Sequence, residues 1–190
     1  LDSEVAGSDD RSRGTVDTRM SPSPPWVIVW DLDHTLGAFE TLMQRRAPDE
    51  PVTVKLRPGI EPVLERLLGE GFVHTVLTVA TPEYARVALH GTGLRKLFTE
   101  IAGRGQRAKG DAEGIAERFG ISEQDRGARM IFVGDHPLMD PPTDPSVVFH
   151  LESSALERPA ACFEKLVLEL RERGEGSIGE GFARMARAER

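Results

Sequence analysis

The chain has 190 residues, 39% of them apolar and 29% charged, and carries a formal net charge of −7. That is enough apolar material for one domain of ordinary size plus tails. No apolar run approaches the ~20 residues of a membrane-spanning helix, and the acidic balance speaks against nonspecific nucleic-acid binding, which needs a basic surface.

Residues 1–25 are rich in Ser, Asp, Arg, Gly and Pro, and are expected to form a disordered N-terminal tail. They show no basic region followed by an apolar stretch, so no secretory leader is legible there. Trp26–Trp30 is a short apolar, β-branched run, the pattern of a buried strand. A turn is expected at 47–51 and a short strand at Val52–Leu56. Ile60–Glu70 reads as an amphipathic helix with Val63, Leu64, Leu67 and Leu68 on one face, ended by Gly71. Val73–Thr78 is a second buried strand. Thr81 then Pro82 read as N-cap and first residue of a helix running to His90.

Thr99–Ala102 is expected to be a third strand, 109–119 a helix, Met130–Val133 a fourth strand and Ser146–His150 a fifth. Arg158–Arg173 has the apolar spacing of a closing helix, through Phe163, Leu166, Val167 and Leu170. Cys162, the single cysteine, lies within it between Ala161 and Phe163 and reads as a core residue; an internal disulfide is thereby excluded, and a cytoplasmic setting is expected. The Gly-rich run from Gly174 to Gly179 has a formal GxGxxG spacing but follows a helix and carries glutamates, so it reads as part of a flexible tail, 174–190. Strands alternating with helices predict one α/β domain over 26–173, three-layered and Rossmann-like, with a central, mostly parallel five-stranded sheet. Ligands of such sheets bind at the carboxyl ends of the strands.

The acids sit where those ends are expected. Asp31 and Asp33 leave the first strand two residues apart, and in an extended segment they would point the same way. Their mutual repulsion raises one pKa unless a cation sits between them. The fourth strand ends in Gly134-Asp135, with Asp140 five residues on. Hard oxygen ligands of this kind suit Mg²⁺, which binds through one or two carboxylates plus a phosphate. Thr78 ends the second strand and Lys109 follows the third, supplying a hydroxyl donor and a cation for phosphate oxygens. Thr81 lies close enough in sequence to compete for the role of Thr78.

In this order the residues resemble the four motifs of the haloacid dehalogenase (HAD) superfamily. Asp31-Leu32-Asp33-His34-Thr35 resembles its DxDxT, Thr78 its second motif, Lys109 its third, and Gly134-Asp135 with Asp140 one form of its fourth. The resemblance spans 26–150. It implies a phosphatase in which Asp31 attacks phosphorus and becomes an aspartyl-phosphate. Asp33 would protonate the leaving oxygen and then deprotonate water. Mg²⁺ would be held by the Asp31 carboxylate, the backbone carbonyl of Asp33 and the Asp135 carboxylate, with Asp140 directly or through water, while Thr78 and Lys109 hold the transferring oxygens.

The spacing bears on the substrate. Superfamily caps lie between the first and second motifs or between the second and third. Here those gaps are 45 and 31 residues, and secondary structure fills most of both, so no large cap domain is expected. An open site admits a large phosphorylated substrate such as a phosphoprotein. The alternatives are a small-metabolite phosphatase and a non-catalytic phosphate-binding regulatory protein. Arg57-Pro58-Gly59 and Thr81-Pro82-Glu83-Tyr84-Ala85 resemble segments of the RNA-polymerase C-terminal-domain phosphatases, and the open magnesium-dependent phosphatases are a second resemblance. His34, His136, Arg104 and Arg107 are candidates for substrate contact.

Overall fold

The computed structural model describes residues 24–39, 54–153, 155–160, 164 and 167. The expected tails, Cys162, most of the closing helix and the stretch 40–53 lie outside the described residues.

Five strands make one sheet: β1 (Trp26–Trp30), β4 (Phe72–Leu77), β5 (Glu100–Ala102), β6 (Met130–Gly134) and β7 (Val148–Leu151). Their order is β5-β4-β1-β6-β7, and every neighbouring pair is parallel. β2 (Gly37–Ala38) and β3 (Lys55–Leu56) form a separate antiparallel pair that brackets the stretch 40–53. The helices are α1 (Ile60–Gly69), α2 (Pro82–Gly91), α3 (Ala112–Arg118) and the short α4 (Arg126–Arg129). Among the described residues, no helix is long and apolar enough to cross a membrane.

The central strands β1 and β6 are apolar throughout, and β4 is interrupted only by His74 and Thr75, because both faces of the sheet are covered. Alternation along β1 divides the core. Ile28 and Trp30 pack with Leu64 and Leu67 of α1 and with Ala85, Ala88 and Leu89 of α2. Val27 and Val29 pack on the other side with Ala112, Ile115 and Ala116 of α3. The result is the expected three layers. α1 presents Ile60, Val63, Leu64 and Leu67 at the spacing of a single helical stripe. Thr81 caps α2 by accepting from the Tyr84 N–H at 3.3 Å, with Pro82 in the first turn, as the sequence predicts.

Several boundaries differ from expectation, and two of the shifts have a visible cause. α3 begins at Ala112, not at Lys109, because Asp111 accepts from the Gly114 N–H at 2.9 Å and so is the true N-cap, while Gly110 just before it sits at φ +81°. β7 begins two residues late. Asp144 turns back to accept from both the backbone N–H (2.9 Å) and the hydroxyl (2.7 Å) of Ser146, which delays the extended run.

Strand order reverses at β1: the chain proceeds outward on one side to β4 and β5, then returns to the other side for β6 and β7. The crevice between the carboxyl ends of β1 and β6 is therefore the topological switch point, where ligands of such sheets bind.

His74, fully buried in β4, accepts a hydrogen bond at Nδ1 from Trp30 Nε1 (3.1 Å) and has Nε2 3.0 Å from the Leu64 carbonyl. A neutral ring protonated at Nε2 satisfies both contacts. Burial pushes its pKa down to about 4, against a backbone hydrogen bond that favours the charged ring. The unfolded chain takes its proton near pH 6.5, so stability from this group is complete above that pH and is lost as pH falls toward 4. A His74→Gln variant keeps a donor and an acceptor without titrating. Its stability deficit relative to the parent should therefore shrink by about 2–3 kcal/mol between pH 7 and pH 4.5, measured by urea unfolding. A deficit independent of pH would refute this assignment.

Candidate active site

The Asp31 N–H donates to the Val133 carbonyl at 2.8 Å, extending the β1–β6 ladder one residue past the strand. This holds Asp31 beside the end of β6. Asp135 follows Gly134, the last residue of β6, and a tight loop returns the chain at Asp140. Its carboxylate accepts from the His136 N–H at 2.7 Å, and its own N–H donates to the His136 carbonyl at 3.1 Å. Asp31, Asp135 and Asp140 each place one carboxylate oxygen within 4.8 Å of the others.

Gly134 is required by this arrangement. A Cβ there would lie 2.2 Å from Asp140 Oδ2 and 2.4 Å from its Cβ. The glycine lets the Asp140 side chain lie across the strand end.

Lys109 is the counter-charge. Its ammonium hydrogen-bonds Asp31 Oδ1, lies 3.1 Å from Asp140 Oδ1 and donates to the Leu77 carbonyl at 2.8 Å. It thus joins the ends of β1 and β4 to the Asp140 loop. The lysine lies in the loop before α3, and no penalty for a cation at a helix N-terminus arises. Burial raises the Asp31 carboxyl to about pKa 6, with repulsion from Asp140 adding and the attraction of Lys109 opposing. Burial and Asp140 likewise raise Asp135, against His34 and Lys109. With the three acids ionised and one lysine present, the local charge is −2. Three hard oxygen donors around that charge fit a divalent cation such as Mg²⁺.

Asp33 engages a different partner from Asp31. The chain leaves the extended conformation after Asp31 and turns through His34 at φ +61°. The Leu36 N–H closes that turn onto the Leu32 carbonyl at 3.0 Å. Asp33 accepts at Oδ1 from the Tyr84 hydroxyl at 2.8 Å and is not one of the three converging carboxylates. Asp31 Oδ2 accepts from Thr35 Oγ1 at a long 3.4 Å.

The other candidates separate clearly. Thr78 is buried at the end of β4, and its oxygen accepts from the Ala80 N–H at 3.1 Å. Thr81, its competitor, is spent on capping α2. Arg104 is exposed on a turn whose backbone is tied to the Ala80 carbonyl at 2.8 Å; Gly103 permits that approach, since a Cβ would meet the same carbonyl at 2.4 Å. Arg107 is paired with Glu100 and Asp111, each at 3.2 Å. His136 accepts at Nδ1 from the Leu138 and Met139 N–H groups at 3.3 and 3.2 Å, so this ring nitrogen orders its own loop. His34 is exposed beside the site.

Arg57 has a role the sequence did not reveal. It is buried, 2% exposed, and donates to four carbonyls: Thr35 (2.7 Å), His34 (2.7 Å), Ser153 (2.6 Å) and Arg158 (3.2 Å). Glu152 lies 3.6 Å away as its counter-ion. The planar guanidinium therefore locks the turn after Asp33 to the chain beyond β7.

No protein-family model matches the sequence, and no curated protein does. Solved structures do match. An uncharacterized protein from Listeria monocytogenes serotype 4b superposes at TM-score 0.55 with 18% identity, covering 77% of this chain and 99% of that one. A HAD-superfamily hydrolase from Ehrlichia chaffeensis gives 0.54 and 13%, covering 79% and 99%. A haloacid dehalogenase-like hydrolase from Xanthomonas campestris gives 0.53 and 11%, covering 83% and 99%. The chain has the fold of the HAD-superfamily hydrolases. In this HAD-type fold, the segment between Thr78 and Lys109 is described throughout and holds α2, a 3-10 turn at Leu94–Leu97 and β5.

Gly134→Ala tests the geometry directly. The methyl should displace Asp140 while leaving the β6 ladder intact. Mg²⁺ affinity, read from the metal-dependent rise in melting temperature, should fall by about 10- to 100-fold, as for loss of a ligand-orienting group. An unchanged affinity would show that Asp140 takes no part in holding the ion.

Proposed function

We propose that this protein is a Mg²⁺-dependent phosphomonoesterase that works through an aspartyl-phosphate on Asp31. The observation that carries this reading is the convergence of Asp31, Asp135 and Asp140 around Lys109 at the switch point of a HAD-type sheet. Asp31, Asp135 and Asp140 would hold the ion, with the Asp33 backbone carbonyl beside them. When bound, the ion offsets the repulsion between these acids and an incoming phosphate. The chain's own groups do the rest. Asp31 supplies the attacking oxygen. Lys109 holds that carboxylate and offers charge to the phosphoryl oxygens; Thr78 stands at the adjoining strand end to offer a hydroxyl. Asp33, set apart from the metal-binding carboxylates, is left to move the proton.

The substrate is proposed to be large or exposed, a phosphoprotein in particular. Supporting this, the loop between Asp135 and Asp140 presents Leu138, 87% exposed, and Met139, 49% exposed, and Val79 directly after Thr78 is 47% exposed. Apolar side chains held out beside an anion site suit a partner that brings its own apolar surface. A net charge of −7 and a single cysteine suit a protein without nucleic-acid partners, in a reducing cytoplasm.

Two experiments follow. Asp31→Asn should abolish hydrolysis of p-nitrophenyl phosphate without changing the melting temperature by more than a few degrees. Chelation should stop the parent enzyme and Mg²⁺ should restore it. Activity surviving either treatment would remove the aspartyl-phosphate or the metal from the scheme. For the substrate, Leu138→Ser should lower kcat/KM on phosphopeptides with apolar neighbours by about 5- to 10-fold, the scale of one apolar contact. It should leave p-nitrophenyl phosphate unaffected, and equal losses on both would count against a docking role for the loop.

A further inference from the structure

Tyr84 is placed with unusual rigidity for a half-buried side chain. It lies in the first turn of α2, three residues after its N-cap, and its own N–H is the one that Thr81 caps. Ala85 and Ala88 bury the neighbouring face of the helix completely. From this platform the hydroxyl donates to Asp33 Oδ1 across 51 residues of sequence. The receiving end is equally fixed. Asp33 pairs with Gly37 in a β-bridge, and Arg57 holds the carbonyls of His34 and Thr35. Two independently anchored elements thus meet at one hydrogen bond. A tyrosine exposed to this extent could find its partner in water, so burial alone does not call for the contact.

We propose that Tyr84 is a positioning residue for proton transfer by Asp33, an inference that rests on the phosphatase reading above. Its hydroxyl occupies Oδ1 and fixes the rotation of the carboxyl group, so that the transferable proton resides on Oδ2. In the first step an Asp31 oxygen forms a bond to phosphorus as the bond from phosphorus to the leaving oxygen breaks. The leaving oxygen keeps that electron pair and takes the Oδ2 proton, and Asp33 becomes a carboxylate. In the second step water attacks phosphorus, Asp33 accepts its proton, and the aspartyl bond breaks to regenerate the Asp31 carboxylate and release phosphate. A well-placed acid matters most where the leaving oxygen is strongly basic. An alkyl alcohol needs its proton in the transition state, whereas p-nitrophenolate departs as a stable anion.

The test compares substrates within each enzyme preparation, so the fraction of folded protein cancels. kcat/KM is measured in Mg²⁺ for phosphoserine and p-nitrophenyl phosphate, with the parent, Tyr84→Phe, Asp33→Asn and the double variant. Tyr84→Phe should lower the phosphoserine value by about 10- to 100-fold, the scale of a misplaced catalytic group. It should lower the p-nitrophenyl phosphate value by less than about threefold. In the Asp33→Asn background the same substitution should change neither value by more than about twofold, because the group being positioned is gone. If the Phe variant does not fold, Tyr84→Met, which also lacks the hydroxyl, serves the same comparison. Equal losses on the two substrates, no loss on either, or effects that multiply in the double variant would each overturn the positioning role. A parent protein that binds Mg²⁺ yet hydrolyses neither substrate would overturn the phosphatase reading itself, and this inference with it.

Discussion

Three carboxylates held close together and partly out of water, with one lysine beside them, set the terms for the rest of this structure. Asp31, Asp135 and Asp140 come from two strand ends and a loop, and Lys109 is the cation that spans Asp31 and Asp140. A partly buried cluster of like charges is unfavourable by itself, so the surrounding chain must force the acids together. Backbone bonds do this. The Asp31 N–H is tied to β6, the Asp140 loop closes on His136, and the Thr143 N–H (2.8 Å) and hydroxyl (3.0 Å) both donate to the Gly110 carbonyl. That last pair fastens the lysine's loop to the loop that carries Asp140. Gly110, at φ +81°, would bring a Cβ within 2.6 Å of the Pro141 carbonyl, so a glycine is needed both for the turn and for the close approach.

Arg57 performs the matching task on the other side of the site. A fully buried arginine is costly unless its donors are all engaged. Here four carbonyls and Glu152 satisfy it, and two of those carbonyls belong to the turn that follows Asp33. Gly59, two residues on, starts α1 from φ +74°, so the chain passes from β3 through the buried arginine straight into a helix packed on the sheet. The arginine therefore couples the first-strand turn, the small β2–β3 pair and the chain after β7. A lysine could not replace it, since a single ammonium cannot span carbonyls placed on three separate segments.

Much of this was legible in the sequence, for a physical reason. Strands buried on both faces appear as apolar runs, unbroken in β1 and β6 and interrupted in β4 only by His74 and Thr75, and acids directly after β1 and β6 must lie at the sheet edge. The helix stripes of α1 and the Thr81-Pro82 start of α2 are equally local signals. Less legible were features set by partners distant in sequence. Asp33 accepts from Tyr84, 51 residues on, and Arg107 pairs with Glu100 and Asp111. No periodicity encodes such pairings. Lys109 was assigned to a helix start because α3 is short, and the true cap, Asp111, differs from it by only two residues. A buried arginine can be suspected where it precedes Pro-Gly, but its four acceptors are backbone groups and leave no mark on the sequence.

The charge balance of the site also constrains how it can work under the proposed reading. Three ionised acids and one lysine leave −2, which repels a phosphate dianion. A divalent cation brings the cluster to neutrality and presents a positive centre to the substrate. Metal and phosphate should then assist one another's binding, and by linkage each must raise the other's affinity by the same factor. The raised pKa of Asp31, at about 6 and due chiefly to burial, bears on the same balance, because a proton and the metal would compete for the one carboxylate. The exposed Arg104, Leu138 and Met139 lie outside that balance. They can vary with the substrate without disturbing the buried charges, whereas Gly134, Gly110 and Arg57 cannot, because each holds one of the loops that keep the acids in place.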